Sequence, residues 1–119
     1  MPAADKRAEG EASVLAAINA MSDEDRAIAE RIHEIVSTNA PELIPRTWYG
    51  MPAYANEAGN VLCFFQTKQR FKTRYATFGF QHDAKLDDGG MWPVAFAVTK
   101  MTDEVAAHVT ELVKQAVKK

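Results

Sequence analysis

The chain has one cysteine, no long apolar run and almost no net charge, and each shortage excludes a class of protein. Cys63 has no partner for an intrachain disulfide, and its apolar neighbours in VLCFF suggest a buried thiol rather than a reactive one. The longest apolar runs, Val61 to Phe65 and Pro93 to Val98, fall far short of the ~20 residues a membrane helix needs. A net charge of -2 supplies no global attraction to nucleic acid or to an anionic membrane. The opening residues, MPAADKRAEGEAS, hold two basic side chains with no apolar segment behind them. They read as a flexible tail over residues 1–10 rather than a secretory leader, so a cytoplasmic setting is expected.

What is present is enough for one core. With 119 residues, 47% of them hydrophobic, residues 11–119 are expected to form a single domain. Val14, Leu15 and Ile18 recur at helical spacing between Glu11 and Ala20. Ser22 then offers an N-cap oxygen ahead of Asp23, Glu24 and Asp25, whose charges suit the positive end of a helix. That second helix carries Ile28, Ile32, Ile35 and Val36 as its buried stripe and stops near Asn39, because Pro41 disfavours helical geometry at Ala40.

From there the period changes from helical to extended. Strands are expected over Asn60–Thr67, Thr73–Phe80 and Val94–Thr99, with NEAGN before the first as a hairpin turn. In the last strand Val94, Phe96 and Val98 form the bulky face expected to meet the helices, while Ala95, Ala97 and Thr99 leave the other face flat. A second copy could cover that flat face, so monomer and homodimer are both open. Thr102 caps a closing helix that buries Val105, Val109, Leu112, Val113 and Ala116. Helices kept apart from a run of strands predict an α+β, two-layer fold: a twisted antiparallel sheet covered on one face by two N-terminal helices and one C-terminal helix.

Four groups of residues are candidates for function. The segment RTWYGMPAYANEAG places Trp48, Tyr49, Met51 and Tyr54 beside Gly50 and Pro52, which reads as a bent connector from the helices to the sheet. With Trp92, these side chains are candidates to line a site for a small ligand or a peptide, since Tyr and Trp combine apolar area with a polar tip. Lys68, Arg70, Lys72 and Arg74 occupy every second position and would form a basic comb if extended, suited to phosphate or nucleic acid; a solvated, aggregation-resistant edge is the preferred reading. Asp23, Glu24, Glu30 and Glu34 make an acidic ridge interrupted by Arg26 and Arg31. His82, Asp83, Asp87 and Asp88 gather in QHDAKLDDGG, a set that suits a divalent ion such as iron but also a solvated turn. No nucleophile, base or metal set emerges that would define an enzyme, and no cofactor other than iron is implied.

The segment Tyr49, Gly50, Met51, Pro52, Ala53 and Tyr54, within TWYGMPAY, resembles the signature of the YdhG-like family, the domain-of-unknown-function 1801 group. The likeness continues through VLCFF, KTRYATFGF and LDDGGMWP into the closing helix. It implies an α+β fold with helices on one face of a twisted antiparallel sheet. Some relatives are described as frataxin-like iron chaperones, a role that would fall here on the acidic ridge. The expectation is a non-enzymatic binding domain using the aromatic segment, with iron delivery and nucleic-acid binding as alternatives.

Overall fold

The computed structural model describes residues 3–118. Helix α1 runs over Ala3–Asn19 and helix α2 over Asp23–Asn39. They are followed by strands β1 (Ile44–Trp48), β2 (Met51–Ala55) and β3 (Val61–Gln66), and by a short helix α3 (Lys68–Phe71). Strands β4 (Ala76–Phe80) and β5 (Ala95–Val98) complete the sheet, and helix α4 (Asp103–Ala116) ends the fold. Every neighbouring pair of strands is antiparallel and sheet order equals chain order, β1-β2-β3-β4-β5. The α+β class read from the sequence is the observed one.

The local signals that set the helices act as expected. Ser22 caps α2 and Thr102 caps α4, each accepting a backbone N–H from three residues on. Asp25, one turn into α2, behaves differently from its acidic neighbours because its side chain is fully buried. Its carboxylate accepts the backbone N–H groups of Lys68 and Gln69, both at 3.3 Å, at the start of α3. Ser22 Oγ donates to the same carboxylate. A group classed by sequence as helix-end charge thus ties the β3–β4 connection to α2.

Helix α1 is helical from Ala3, through residues that the sequence reading assigned to a tail. Gly10 or Glu11, then Val14 and Ile18 recur every three or four residues on its inward side, and the exposed Arg7 lies one turn before Glu11. Val14 and Ile18 enter the core, Arg7 Nη1 donates to the Leu43 carbonyl at 3.0 Å, and Gly10 lies on the backbone of β1. A Cβ at Gly10 would overlap the Pro45 carbonyl oxygen, so the close approach requires glycine. Helix α1 in this way covers the outer edge of β1, which would otherwise present unpaired backbone groups.

The main departure from expectation lies at 44–55, where a hairpin replaces the bent connector. Tyr49 and Gly50, with φ of +52° and +78°, form the two-residue turn, and Trp48 pairs with Met51 across it. Positive φ at both positions is the type I′ geometry whose twist matches flanking strands. The prolines that read as breakers fall where they do no harm. In such a hairpin the closing pair is hydrogen-bonded and pairs then alternate, which puts Pro52 (opposite Thr47) and Pro45 (opposite Tyr54) at non-hydrogen-bonded positions. Neither needs an N–H for the β1–β2 ladder.

The register separates two rows of side chains. Tyr54, Cys63 and Phe80 align across β2, β3 and β4, and Phe65, Phe78 and Phe96 align across β3, β4 and β5; these face α2 and α4 and form the core. As expected, Phe96 and Val98 turn toward the helices, although Val94 precedes the strand and is exposed. The opposite face carries the row Arg46, Ala53, Phe64, Gly79 and Ala95. Gly79 has room for no side chain because Phe64 lies across it: a Cβ there would sit 2.5 Å from Phe64 Cζ. The Phe64 ring reaches Trp48 at 5.4 Å between centroids, so two rings shield part of the face that lacks helices.

Candidate functional site

The hairpin divides the aromatic candidates instead of gathering them. Strand alternation sends Trp48 and Met51 to the open face and Tyr54 to the helical face. Tyr49, on the turn, is 74% exposed and contacts the edge of Trp48 at 5.1 Å, while Met51 is 8% exposed. Arg70 donates to the Tyr49 carbonyl, fastening the turn to α3. Trp92 is half-buried against the helix-side core, in the loop between β4 and β5. Trp48, Tyr49, Met51, Tyr54 and Trp92 therefore do not line one surface.

Tyr54 is the member with a polar environment of its own. It is 1% exposed, and its hydroxyl lies 2.8 Å from His33 Nδ1 on α2. His33 Nε2 lies 2.8 Å from Glu11 Oε2 on α1. One carboxylate, one imidazole and one phenol thus join three elements in a string. Burial raises the Tyr54 hydroxyl above the ordinary phenol range, with smaller contributions from the Cys63 and Glu11 charges. The phenol therefore keeps its proton near neutrality and acts as a hydrogen-bond donor or acceptor rather than a phenolate.

With His33 neutral and Nε2–H donating to the Glu11 carboxylate, Nδ1 accepts from the Tyr54 hydroxyl; with both ring nitrogens protonated, Nδ1–H donates to that oxygen and frees the phenol proton to point elsewhere. The string borders a groove of about 460 Å³ between α1, the end of α2 and the first hairpin. Arg7, Glu11, Ser37, Leu43, Pro45 and Tyr54 are among its lining residues. The volume lies within the roughly 300–1,000 Å³ typical of small-molecule sites.

Neither Glu11 nor His33 was a sequence candidate. Their 22-residue separation has no motif to reveal it. The available signal was the position of His33 itself, four residues after Ala29 and three before Val36, both on the buried side of α2. Cys63, opposite Tyr54 in the sheet, is buried as expected, and burial pushes its thiol up to about 12.

The basic comb is not extended. Lys68 and Arg70 lie in α3 and Lys72 adopts a left-handed conformation at its end, so Lys68, Arg70, Lys72 and Arg74 cannot project from one strand face. Lys68 pairs with Glu24, a hydrogen bond that holds its ammonium above the usual range, and the Arg74 guanidinium sits 5.8 Å from the Tyr75 ring.

The acidic candidates are dispersed too. Asp23 pairs with Arg26 at 3.0 Å, Glu34 pairs with Arg31 at 2.6 Å, and Glu30 is exposed. In the loop after β4, Asp83 accepts Asn60 Nδ2 at 2.9 Å and Asn56 Nδ2 at 3.2 Å, which lowers its carboxyl below the usual range. His82 lies 3.3 Å from Asp83, while Asp87 and Asp88 are exposed. Asp83 thereby pins the β2–β3 turn. Among the described residues no three His, Cys, Asp or Glu side chains come together as a metal site, and no helix is long and apolar enough to cross a membrane.

Comparison with protein-family models, with curated proteins and with solved structures finds no match for this chain.

Proposed function

We propose that this chain is a binding domain for a small ligand, which it holds in the groove between α1, α2 and the first hairpin. The observation that carries the reading is the Glu11–His33–Tyr54 string, a satisfied polar network at the wall of a concave site that also has apolar lining. Sites for small molecules combine these two features: apolar surface for affinity and a few fixed polar groups for orientation. The likeness of Tyr49–Tyr54 to the YdhG-like signature belongs to the same proposal, and it places Tyr54 at the end of that signature. Iron delivery has no donor cluster among the described residues to rest on, and the nucleic-acid reading loses its extended basic row.

The test is NMR shift mapping against a fragment library. Ligands should move the Ser37, Leu43 and Tyr54 amides, and Tyr54→Phe should weaken binding by about tenfold through loss of one hydrogen bond. Fragments that shift no groove resonance would refute it. A second reading, a peptide held on the outer aromatic surface, draws on the exposure of Tyr49 beside Trp48. It predicts shifts of the Trp48 indole and Tyr49 with the groove untouched.

A further inference from the structure

The groove carries one fixed positive and one fixed negative side chain, and their arrangement points to a class of ligand. Arg7 and Glu11 stand one turn apart on α1, which puts them on the same side of the helix, with Cβ atoms ~6 Å apart. Each is drawn to a different partner. The Arg7 guanidinium donates to the Leu43 carbonyl, and the Glu11 carboxylate meets His33. One of five Arg N–H donors is spent in that contact, and a carboxylate has about four lone-pair sites, so both groups keep capacity toward the groove. Val36, Pro41, Leu43 and Pro45 supply apolar lining to the same groove.

We propose that the groove takes a zwitterionic, amino-acid-like molecule with a compact apolar group. Its carboxylate meets Arg7, its ammonium meets Glu11, and its side chain lies on Leu43 and Pro45. The inference rests on the groove being the ligand site. A simple anion would gain Arg7 but face Glu11, and a simple cation would gain Glu11 but face Arg7; only a ligand bearing both charges satisfies both. A bare metal ion would find one carboxylate where several oxygen ligands are needed. The Tyr54 hydroxyl, which either donates or accepts according to the proton on His33, serves either end of such a ligand.

The experiment titrates the full chain with L-valine, L-leucine and L-methionine, and with three controls shaped like leucine: N-acetyl-L-leucine, L-leucinamide and 3-methyl-1-butanol. Amide shifts at Ser37, Leu43 and Tyr54 report binding. Saturable shifts with the free amino acids are expected, with both blocked forms at least about tenfold weaker. Arg7→Gln should weaken L-leucine while sparing L-leucinamide, and Glu11→Gln should weaken L-leucine while sparing N-acetyl-L-leucine. Equal binding of blocked and free forms, or of the alcohol, overturns the zwitterion and leaves the groove as an apolar ligand site. Absence of binding by all three amino acids also overturns it; if the fragment library too leaves the groove unmoved, the groove reading falls with it.

Discussion

The two ends of the first hairpin are built from one short sequence yet held by different means. At its base, Pro45 and Tyr54 lie under α1 and beside α2, fixed by the close contact with Gly10 and by the string to His33 and Glu11. At its tip, Tyr49 and Gly50 adopt left-handed conformations in solvent, held by the turn itself and by Arg70. The base is determined by contacts that arrive from distant parts of the chain, whereas the tip rests on its own backbone geometry together with the Arg70 contact. Substitutions at the base should therefore act through packing and buried polarity, and substitutions at the tip through local conformation.

The largest effect should come from Gly10→Ala. Helix propensity alone predicts stabilisation by up to ~1 kcal/mol, but the added methyl meets the Pro45 carbonyl, so urea denaturation should show a loss of about 3 kcal/mol. A gain in stability would show that α1 does not seat on β1 as described. On the neighbouring strand β3, opposite Ala53 of the hairpin, Phe64→Ala removes the ring that spans Gly79 and Trp48. A loss of about 2 kcal/mol is expected, below the value for a fully buried ring because Phe64 is half-buried.

Back at the base, Tyr54→Phe deletes the hydroxyl that partners His33 and should lose about 1–2 kcal/mol, while leaving the sheet register intact by amide exchange. Cys63, paired opposite Tyr54, adds an alkaline limit. Its thiol has an ordinary value near 9 in the unfolded chain and about 12 in the fold, so the unfolded state loses its proton first. The resulting stability is complete below pH 9 and declines as pH rises toward 12, by about 1 kcal/mol for each pH unit. Cys63→Ala should flatten the part of the decline that starts near pH 9, leaving the part that the buried Tyr54 phenol adds at higher pH.

The smallest effect belongs to the tip and has the opposite sign. Tyr49→Asn places a residue tolerant of positive φ in the turn, and the melting temperature should rise by the equivalent of about 0.5 kcal/mol. A fall instead would mean that the Tyr49 ring contact with Trp48 outweighs the backbone strain.

The same contrast explains what the sequence revealed. The capping by Ser22 and Thr102, the Asn56–Asn60 turn and the alternation in β5 depend on near neighbours, and all were legible. Strands β1 and β2 were not, because Pro45, Gly50 and Pro52 carry the composition of a loop. Their suitability for strands appears only once pairing shows that the missing N–H groups are not required. Short α3 has a local signal in Thr67, which caps it by accepting the Arg70 N–H, but four residues make too short a period to read. Its start is held as well by Asp25, 43 residues earlier in the chain. Of the site, Tyr54 was chosen from the sequence for its place in an aromatic cluster. Its partners Glu11 and His33 were missed because only the fold brings α1 and α2 to it.

The agreement of sheet order with chain order has a kinetic consequence. Each strand pairs with the next one in sequence, the widest gap being residues 81–94 between β4 and β5, so the meander can assemble step by step with modest entropy lost at each. Docking α4 onto α2 is the long-range event, since the whole sheet lies between them in sequence. Refolding should therefore begin in the hairpins and finish when α4 closes over the helical face, with its amide protection the last to appear.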